Sequence, residues 1–274
     1  MSDAPTDVIL HHVGDQGVAV LQVNRPQARN ALNWAAQERF AEVVNAVASD
    51  GRVRVLIITG SGDRAFVSGG DLKELQQHPE REAGERLNRV MSGVLAQLMK
   101  LPIPVIAAVN GDAFGGGCEI VSACDLRLAG PQARFSFAQV RNGLITGWGG
   151  TGHLVRLIGQ SRALDLLLTG RMFNAEEARQ LGLIQRVVGE GGNVLTAARE
   201  WAADLVTLPR EALAATKRLV YATHQLSGAD LTRMEANLFV ELWETPDHVE
   251  ALNAFGAKRP PVFNQDWIQK PESE

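Results

Sequence analysis

The sequence is poor in cysteine, with only Cys118 and Cys124 in 274 residues. They sit six residues apart inside one apolar helical pattern, which excludes a disulfide framework and makes a reducing cytoplasm the expected compartment. Charge of one sign does not accumulate. Lys plus Arg number 27 against 31 for Asp plus Glu, a net charge of -4 with no block of like charge, so nucleic acid is not expected as a primary partner. Long apolar runs are also missing. The longest, such as Val53 to Thr59 and Pro104 to Val109, fall far short of the roughly 20 residues of a membrane helix, and no membrane partner is expected. Met1 to Pro5 leads into acidic and polar residues, so no signal peptide is expected there. What the chain has is apolar material: 45% hydrophobic against 21% charged residues, enough for a large core and incompatible with disorder.

Several catalytic signatures are absent too. No G-x-x-x-x-G-K-[ST] occurs, which excludes a P-loop, and no serine lies in G-x-S-x-G. The histidines at 11, 12, 78, 153, 224 and 248 form no ligand cluster and the cysteines lack metal spacing, so no metal is expected. Gly60-Ser61-Gly62-Asp63-Arg64-Ala65 follows a strand and fits G-x-G-x-x-A. A dinucleotide site needs a helix to begin there, and the small residues and glycines from 66 to 70 argue for a plain turn instead.

The periodicity alternates short strands with helices. Strands are expected at Val18 to Val23, Arg52 to Thr59, Val105 to Val109, Asp125 to Ala129, Arg134 to Phe137 and Leu183 to Val188. Helices are expected from Asn33 to about Asp50, over Leu72 to Leu75, Glu82 to Lys100, Cys118 to Ala123 and His153 to Ile158, and after the N-cap Asn174. Residues 65–71 read as irregular, and Asn110-Gly111 as a turn into the three glycines at 115 to 117. From Val194 the pattern is almost wholly helical, broken at Pro209, Gly228 and Thr245-Pro246. The chain therefore divides into an α/β body, residues 1–195, and a helical part, residues 196–274.

Two glycine segments carry the chemistry. Ser68-Gly69-Gly70-Asp71 and Phe114-Gly115-Gly116-Gly117-Cys118-Glu119 each follow a strand and expose backbone N–H groups without side-chain shielding. Two such amides converging on one point make an oxyanion hole, and a helix starting near Gly116 would add its positive end. Read from spacing alone, tight turns and close helix packing account for the same glycines.

These segments, with Asn24-Arg25-Pro26, Asn30-Ala31-Leu32, Cys124-Asp125, Gly149-Gly150-Thr151, Leu168-Thr169-Gly170 and Ala254-Phe255 to Lys258-Arg259, resemble the enoyl-CoA hydratase/isomerase (crotonase) superfamily in order and spacing over nearly the whole chain. The resemblance implies a crotonase-like β-β-α spiral core and a C-terminal helical region that mediates trimerisation, commonly into a dimer of trimers. It implies an acyl-CoA thioester as substrate, with coenzyme A as part of that substrate and no other cofactor. The oxyanion amides correspond to Gly70 and Gly116. CoA would lie near Ala28, Arg29 and the segment Ser68, Asp71, Leu72, while Phe255 and Lys258 match positions that complete the CoA site of a neighbouring subunit.

Glu119 corresponds to one of the two glutamates of the family's hydratases. The second would fall at Gln139, which can hydrogen bond but cannot carry a proton near neutral pH. Trp148 is a further departure, a large ring where many members have a small residue; it serves core packing or, if it lines the acyl pocket, favours a short or distinctively shaped acyl group. Syn hydration of a 2-enoyl-CoA through Glu119 is the leading expectation. Isomerisation, decarboxylation of a malonyl-type thioester, whose Trp-Gly-Gly segment this chain resembles, and non-catalytic acyl-CoA binding remain the alternatives.

Overall fold

The computed structural model describes residues 7–14 and 16–264; the leader reading at Met1 to Pro5 and the final stretch of the 196–274 region lie outside them. Runs rich in Val, Ile, Leu and Ala with no charged residue to turn toward water form strands that must be covered on both faces. Such are β3 (Val55–Gly60) and β5 (Val105–Val109), buried along their whole lengths. They stand at the centre of a six-stranded sheet with β1 (Ile9–Val13), β2 (Val18–Val23), β7 (Leu126–Ala129) and β10 (Arg186–Val187), in the order β1-β2-β3-β5-β7-β10. All neighbours are parallel except β1 with β2.

The period of two along each strand splits its residues between two cores. Leu56, Ile58, Val105 and Ala107 face the larger cluster, with α1 (Trp34–Ser49), α3 (Arg81–Lys100) and α4 (Gly116–Ala123). Val55, Ile57, Ile106 and Ala108 face the other side, where α8 (Val194–Val206) lays down Val194, Ala198 and Ala202. Caps fall where short polar residues precede the apolar periodicity: Asn33 accepts from the Ala36 N–H at 3.0 Å and Asn174 from Glu177 at 2.9 Å. The second opens α7 (Ala175–Leu181), as its spacing predicts.

A second sheet is built from β4 (Ala65–Val67), β6 (Asp112–Phe114), β8 (Arg134–Ser136) and β9 (Phe173–Asn174). Three of the large-sheet strands are each followed by a small-sheet strand and then helix: β3 to β4 to α2 (Leu72–Leu75) and α3, β5 to β6 to α4, β7 to β8 to α5 (Gly150–Ile158). This is the repeated β-β-α spiral. The sequence reading missed β4 and β6, treating 65–71 as irregular and 110–111 as a turn into the glycines, because three-residue strands are too short to display a period. It also missed β1, whose Leu10, His11 and His12 are exposed, and α6 (Gln160–Thr169), separated from α5 by Gly159 at φ +81°. Helix α4 begins at Gly116, where the glycine segment reads a helix start and two residues ahead of the apolar stretch from Cys118, and the strand expected at Leu183 to Val188 is confined to β10.

Beyond α8 lie α9 (Arg210–Ala222), α10 (Gly228–Trp243) and α11 (Pro246–Gly256), with breaks at the three expected places. Because α8 covers the sheet, the part that stands apart from the two cores is α9 to α11. A polar cluster pins α9 to the body. Lys217 Nζ lies 2.7 Å from Asp125 Oδ2 and donates to the Leu98 and Ile103 carbonyls at 3.0 Å each, while the Tyr221 hydroxyl donates to Asp125 Oδ1 at 2.8 Å. Burial lowers the Lys217 pKa despite this pairing and raises that of Tyr221. Replacing Asp125 by Ala leaves the lysine buried and unpaired, and is expected to lower stability by about 3–5 kcal/mol. Tyr221→Phe should cost only about 1 kcal/mol. Urea midpoints of the two variants test this ordering, and equal midpoints would contradict it.

Candidate active site

The loop after β4 is held from below. Gly69 adopts φ +99°, which only glycine takes without strain. Its carbonyl accepts from the Leu32 N–H at 2.8 Å, and the Asp71 N–H donates back to the Leu32 carbonyl at 3.1 Å. Gly70 stands between these two bonds, and its own N–H donates to no oxygen among the described residues. Arg25 donates to Asp71 Oδ2 at 2.9 Å and to the Ala31 carbonyl at 2.6 Å. Burial works against the charge, yet the Arg25 hydrogen bond and charge keep the Asp71 carboxyl below its ordinary range. Buried Asn30, at φ +56°, donates to the Ser61 and Ala65 carbonyls at 3.0 and 2.7 Å and completes the brace.

The second glycine segment abuts the first. Gly115 turns the chain at φ +52°, its N–H donating to the Ser136 carbonyl at 2.8 Å, and α4 starts at Gly116. A methyl group on Gly69 would lie 3.2 Å from the Gly116 nitrogen, so the two loops touch at the helix N-terminus. A methyl group on Gly117 would lie 1.9 Å from the Val67 carbonyl oxygen, so only glycine lets α4 approach β4. The Gly116 N–H, like that of Gly70, donates to no oxygen among the described residues. The fold thus brings two unshielded amides and the positive end of a helix together.

Glu119 occupies the first turn of α4 and is 1% exposed. Four N–H donors converge on its carboxyl group. Gln139 Nε2 and the Gly147 amide donate to Oε1 at 2.8 and 3.2 Å, and the Trp148 and Gly150 amides donate to Oε2 at 2.8 Å each. A carboxylate offers about four lone-pair sites, so this one is saturated. Burial pushes the Glu119 pKa upward, and the four donors oppose that push by favouring the ionised form. Gly150 must remain glycine: a methyl group there would lie 2.5 Å from Glu119 Cγ.

Gln139 lies in the 3-10 turn after β8, twenty residues beyond Glu119, with its side-chain carbonyl oxygen buried and without a donor among the described residues. Its amide carbon lies 4.0 Å from where a methyl group on Gly115 would be. Trp148 is 4% exposed, and its ring covers Gly116: a methyl group on that glycine would lie 2.1 Å from Cζ3 and 2.2 Å from Cη2. Gly70, Gly116, Glu119, Gln139 and Trp148 therefore share one site. Ser68, Asp71 and Leu72 flank it on the Gly70 side, and Ala28 and exposed Arg29 lie on the loop that Leu32 ties to Gly69. Phe255 and Lys258 lie at the exposed end of α11, and among the described residues no hydrogen bond or ion pair joins them to this site. No group of three or more His, Cys, Asp or Glu gathers at a metal-binding spacing among the described residues.

Sequence reasoning did not identify the amides of Gly147 and Gly150 as ligands of Glu119; the dense glycines between 143 and 152 were their only signal. Nor did it single out His153, buried one turn into α5 beneath Gly149, with Nδ1 unpartnered among the described residues. Burial, reinforced by Arg156, lowers its pKa to about 4. An unfolded histidine takes up its proton near pH 6.5, so between about 6.5 and 4 the unfolded chain binds the extra proton. The stability due to neutral His153 is complete above pH 6.5 and falls as the pH drops toward 4. Denaturant unfolding of His153→Gln across this range should show a shallower pH dependence than the parent; identical slopes would refute it.

Residues 14–266 match the sequence model of a family described as enoyl-CoA hydratase/isomerase. The short-chain-enoyl-CoA hydratase of Clostridium acetobutylicum is 36% identical over 253 residues, covering 92% of this chain and 95% of that protein. The 2,3-dehydroadipyl-CoA hydratase of Escherichia coli is 36% identical over 248 residues, 90% of this chain and 95% of its own. Among solved structures, an enoyl-CoA hydratase from Bacillus anthracis superposes with a TM-score of 0.89 at 32% identity, covering 94% of this chain and 99% of that one.

Proposed function

The chain belongs to the enoyl-CoA hydratase/isomerase family, and from that premise we propose that it is an enoyl-CoA hydratase, adding water syn across the double bond of a 2-enoyl-CoA. The observation that carries the reading is a buried carboxyl group, its pKa pushed upward, one helical turn from a backbone amide that donates to no acceptor among the described residues. The thioester oxygen accepts from the Gly70 and Gly116 N–H groups. Water attacks C3 with its lone pair, and the displaced π electrons pass through C2 to that oxygen as an enolate, held by donors already in place. Glu119 takes the proton lost by the water and returns it to C2, which leaves atoms and charge balanced. A carboxyl pKa raised toward neutrality suits a group that must both take and give a proton.

Water must first win a place on a saturated carboxylate. Oε1 is the accessible oxygen, because its bond from Gly147 is the longest of the four at 3.2 Å and Gly147 is only half-buried. The Gln139 carbonyl oxygen supplies the second acceptor for that water. Gln139 thus orients the nucleophile and carries no proton. One observation favours a second reaction: a site with a single carboxylate, already held by four donors, needs no base at all if a malonyl-type thioester loses carbon dioxide and leaves its enolate in the same hole.

The CoA moiety is assigned to Ala28, Arg29 and the segment Ser68 to Leu72, with Arg29 meeting phosphate and Asp71 acting through its bond to Arg25. Two apolar surfaces on different elements support a homotrimer or dimer of trimers in which Phe255 and Lys258 complete a neighbour's CoA site. Phe239, Trp243, Leu252 and Phe255 are exposed on α10 and α11, and Leu144, Ile145, Leu168 and Met172 on the body. Two different patches of one chain that meet head to tail close into rings when the rotation permits.

Glu119→Gln should lower kcat on crotonyl-CoA by about 10²–10⁴ with little change in binding. Gln139→Glu should preserve or raise that activity, whereas for a malonyl-type substrate the added carboxylate would repel the substrate's own. Unchanged crotonyl-CoA turnover in Glu119→Gln would eliminate the hydratase reading. Light scattering at micromolar concentration is expected to return a multiple of three chains; a monomer would overturn the assembly.

A further inference from the structure

Taking the thioester position from the hydratase reading, we propose that Trp148 closes the acyl pocket and confines the enzyme to short, crotonyl-sized acyl groups. The reacting carbons are bounded at two ends. Their carbonyl oxygen sits at the Gly70 and Gly116 amides, and C2 and C3 must come within hydrogen-bonding reach of Glu119 Oε1 by way of one water. Trp148 flanks that same line. Its amide donates to the other oxygen of the carboxylate, Oε2, at 2.8 Å, and its six-membered ring occupies the space over Gly116 that a side chain there would take. An acyl chain continuing past C3 between the carboxylate and the hole therefore runs into the indole.

The ring cannot easily swing aside. It is 4% exposed and packed within the main core. The backbone on either side is tied down: Asn88 donates to the Gly147 carbonyl, Gly149 is held at φ +93°, and Gly150 donates to Glu119. A small side chain at this position would leave a channel beside Gly116; the indole fills it. Gln139, bonded to Oε1 at 2.8 Å, borders the same carboxylate. The pocket is thus short because the residue that clamps the catalytic carboxylate by its backbone also fills the acyl path with its side chain. Length selection and carboxylate positioning are joined in one residue.

The test compares crotonyl-CoA with 2-octenoyl-CoA in the parent, Trp148→Ala and Trp148→Leu, and runs calorimetry in parallel with the saturated thioesters butyryl-CoA and octanoyl-CoA. In the parent, kcat/KM for crotonyl-CoA should exceed that for octenoyl-CoA by at least about tenfold, the discrimination expected of a tight apolar wall. Trp148→Ala should shrink this ratio by at least about tenfold, mainly by improving the longer substrate. Trp148→Leu, which keeps much of the buried volume, carries the comparison if the Ala variant does not fold, and should shrink the ratio in the same direction. Parent enzyme indifferent to chain length, or variants that retain its ratio, would overturn the proposal. If neither enoyl thioester turns over but the parent binds butyryl-CoA more tightly than octanoyl-CoA and the variants lose that difference, the hydratase reading fails and the role of Trp148 stands.

Discussion

A carboxylate removed from water must be given donors, and the structure around α4 is organised by that requirement. Glu119 is buried in the first turn of the helix and receives four N–H groups, three of them backbone amides from the segment 147–150. Satisfying the charge dictates the path of that segment. Gly150 has no side chain because Glu119 fills the space, and Gly149 takes a left-handed conformation so that the amides on both sides can face inward. Helix α5 then starts where the clamp ends. Loss of any donor would leave part of a charge unsolvated, a cost borne by the whole folded state.

The spiral supplies the other half of the site. Each crossing from the large sheet to the small one delivers a short strand and then a loop at the same level, and the loops after β4 and β6 come into contact at the start of α4. The 1.9 Å approach at Gly117 tolerates no side chain and Gly69 holds φ +99°, which accounts for glycine at 69 and 117 on geometric grounds before any catalytic role is considered. The free amides at Gly70 and Gly116 are a consequence of the same architecture. One is bracketed by bonds to Leu32, and the other begins a helix, where N–H groups lack intrahelical acceptors.

Within this frame the departures from the family's two-glutamate pattern act on the same few ångströms. Gln139 gives its N–H to Glu119 and keeps its oxygen for a donor, so it substitutes for the shape of a second acid and omits its proton. On the proposed hydratase mechanism, that places the whole acid–base burden on a single carboxyl group. It also explains why decarboxylation, which asks for no proton acceptor, competes as a reading of the same geometry. Trp148 adds bulk beside the same carboxylate, its buried ring lying over Gly116.

The sequence alone was enough for the β-turn-α alternation, the long strands, the cap at Asn174, the helical C-terminal part and the motifs that carry Gly70, Gly116 and Glu119. These are encoded locally, in periods of two or 3.6 and in glycines at strand ends, so a linear reading reaches them. Of the small sheet only β8 was legible; β4, β6 and β9 were not, because these strands are two or three residues long and owe their existence to neighbours in space. The ligands of Glu119 were illegible for a related reason. Backbone amides have no residue identity, so nothing in the letters at 147 and 150 announces a donor, and only the return of that loop over α4 turns them toward the carboxylate. Trp148 and Gln139 could be noticed as unusual residues, but whether an indole packs in the core or walls a pocket depends on what lies across from it. Where the ring itself lies was decided by tertiary structure, because the space over Gly116 exists only once two loops separated by some thirty to forty residues of chain have met.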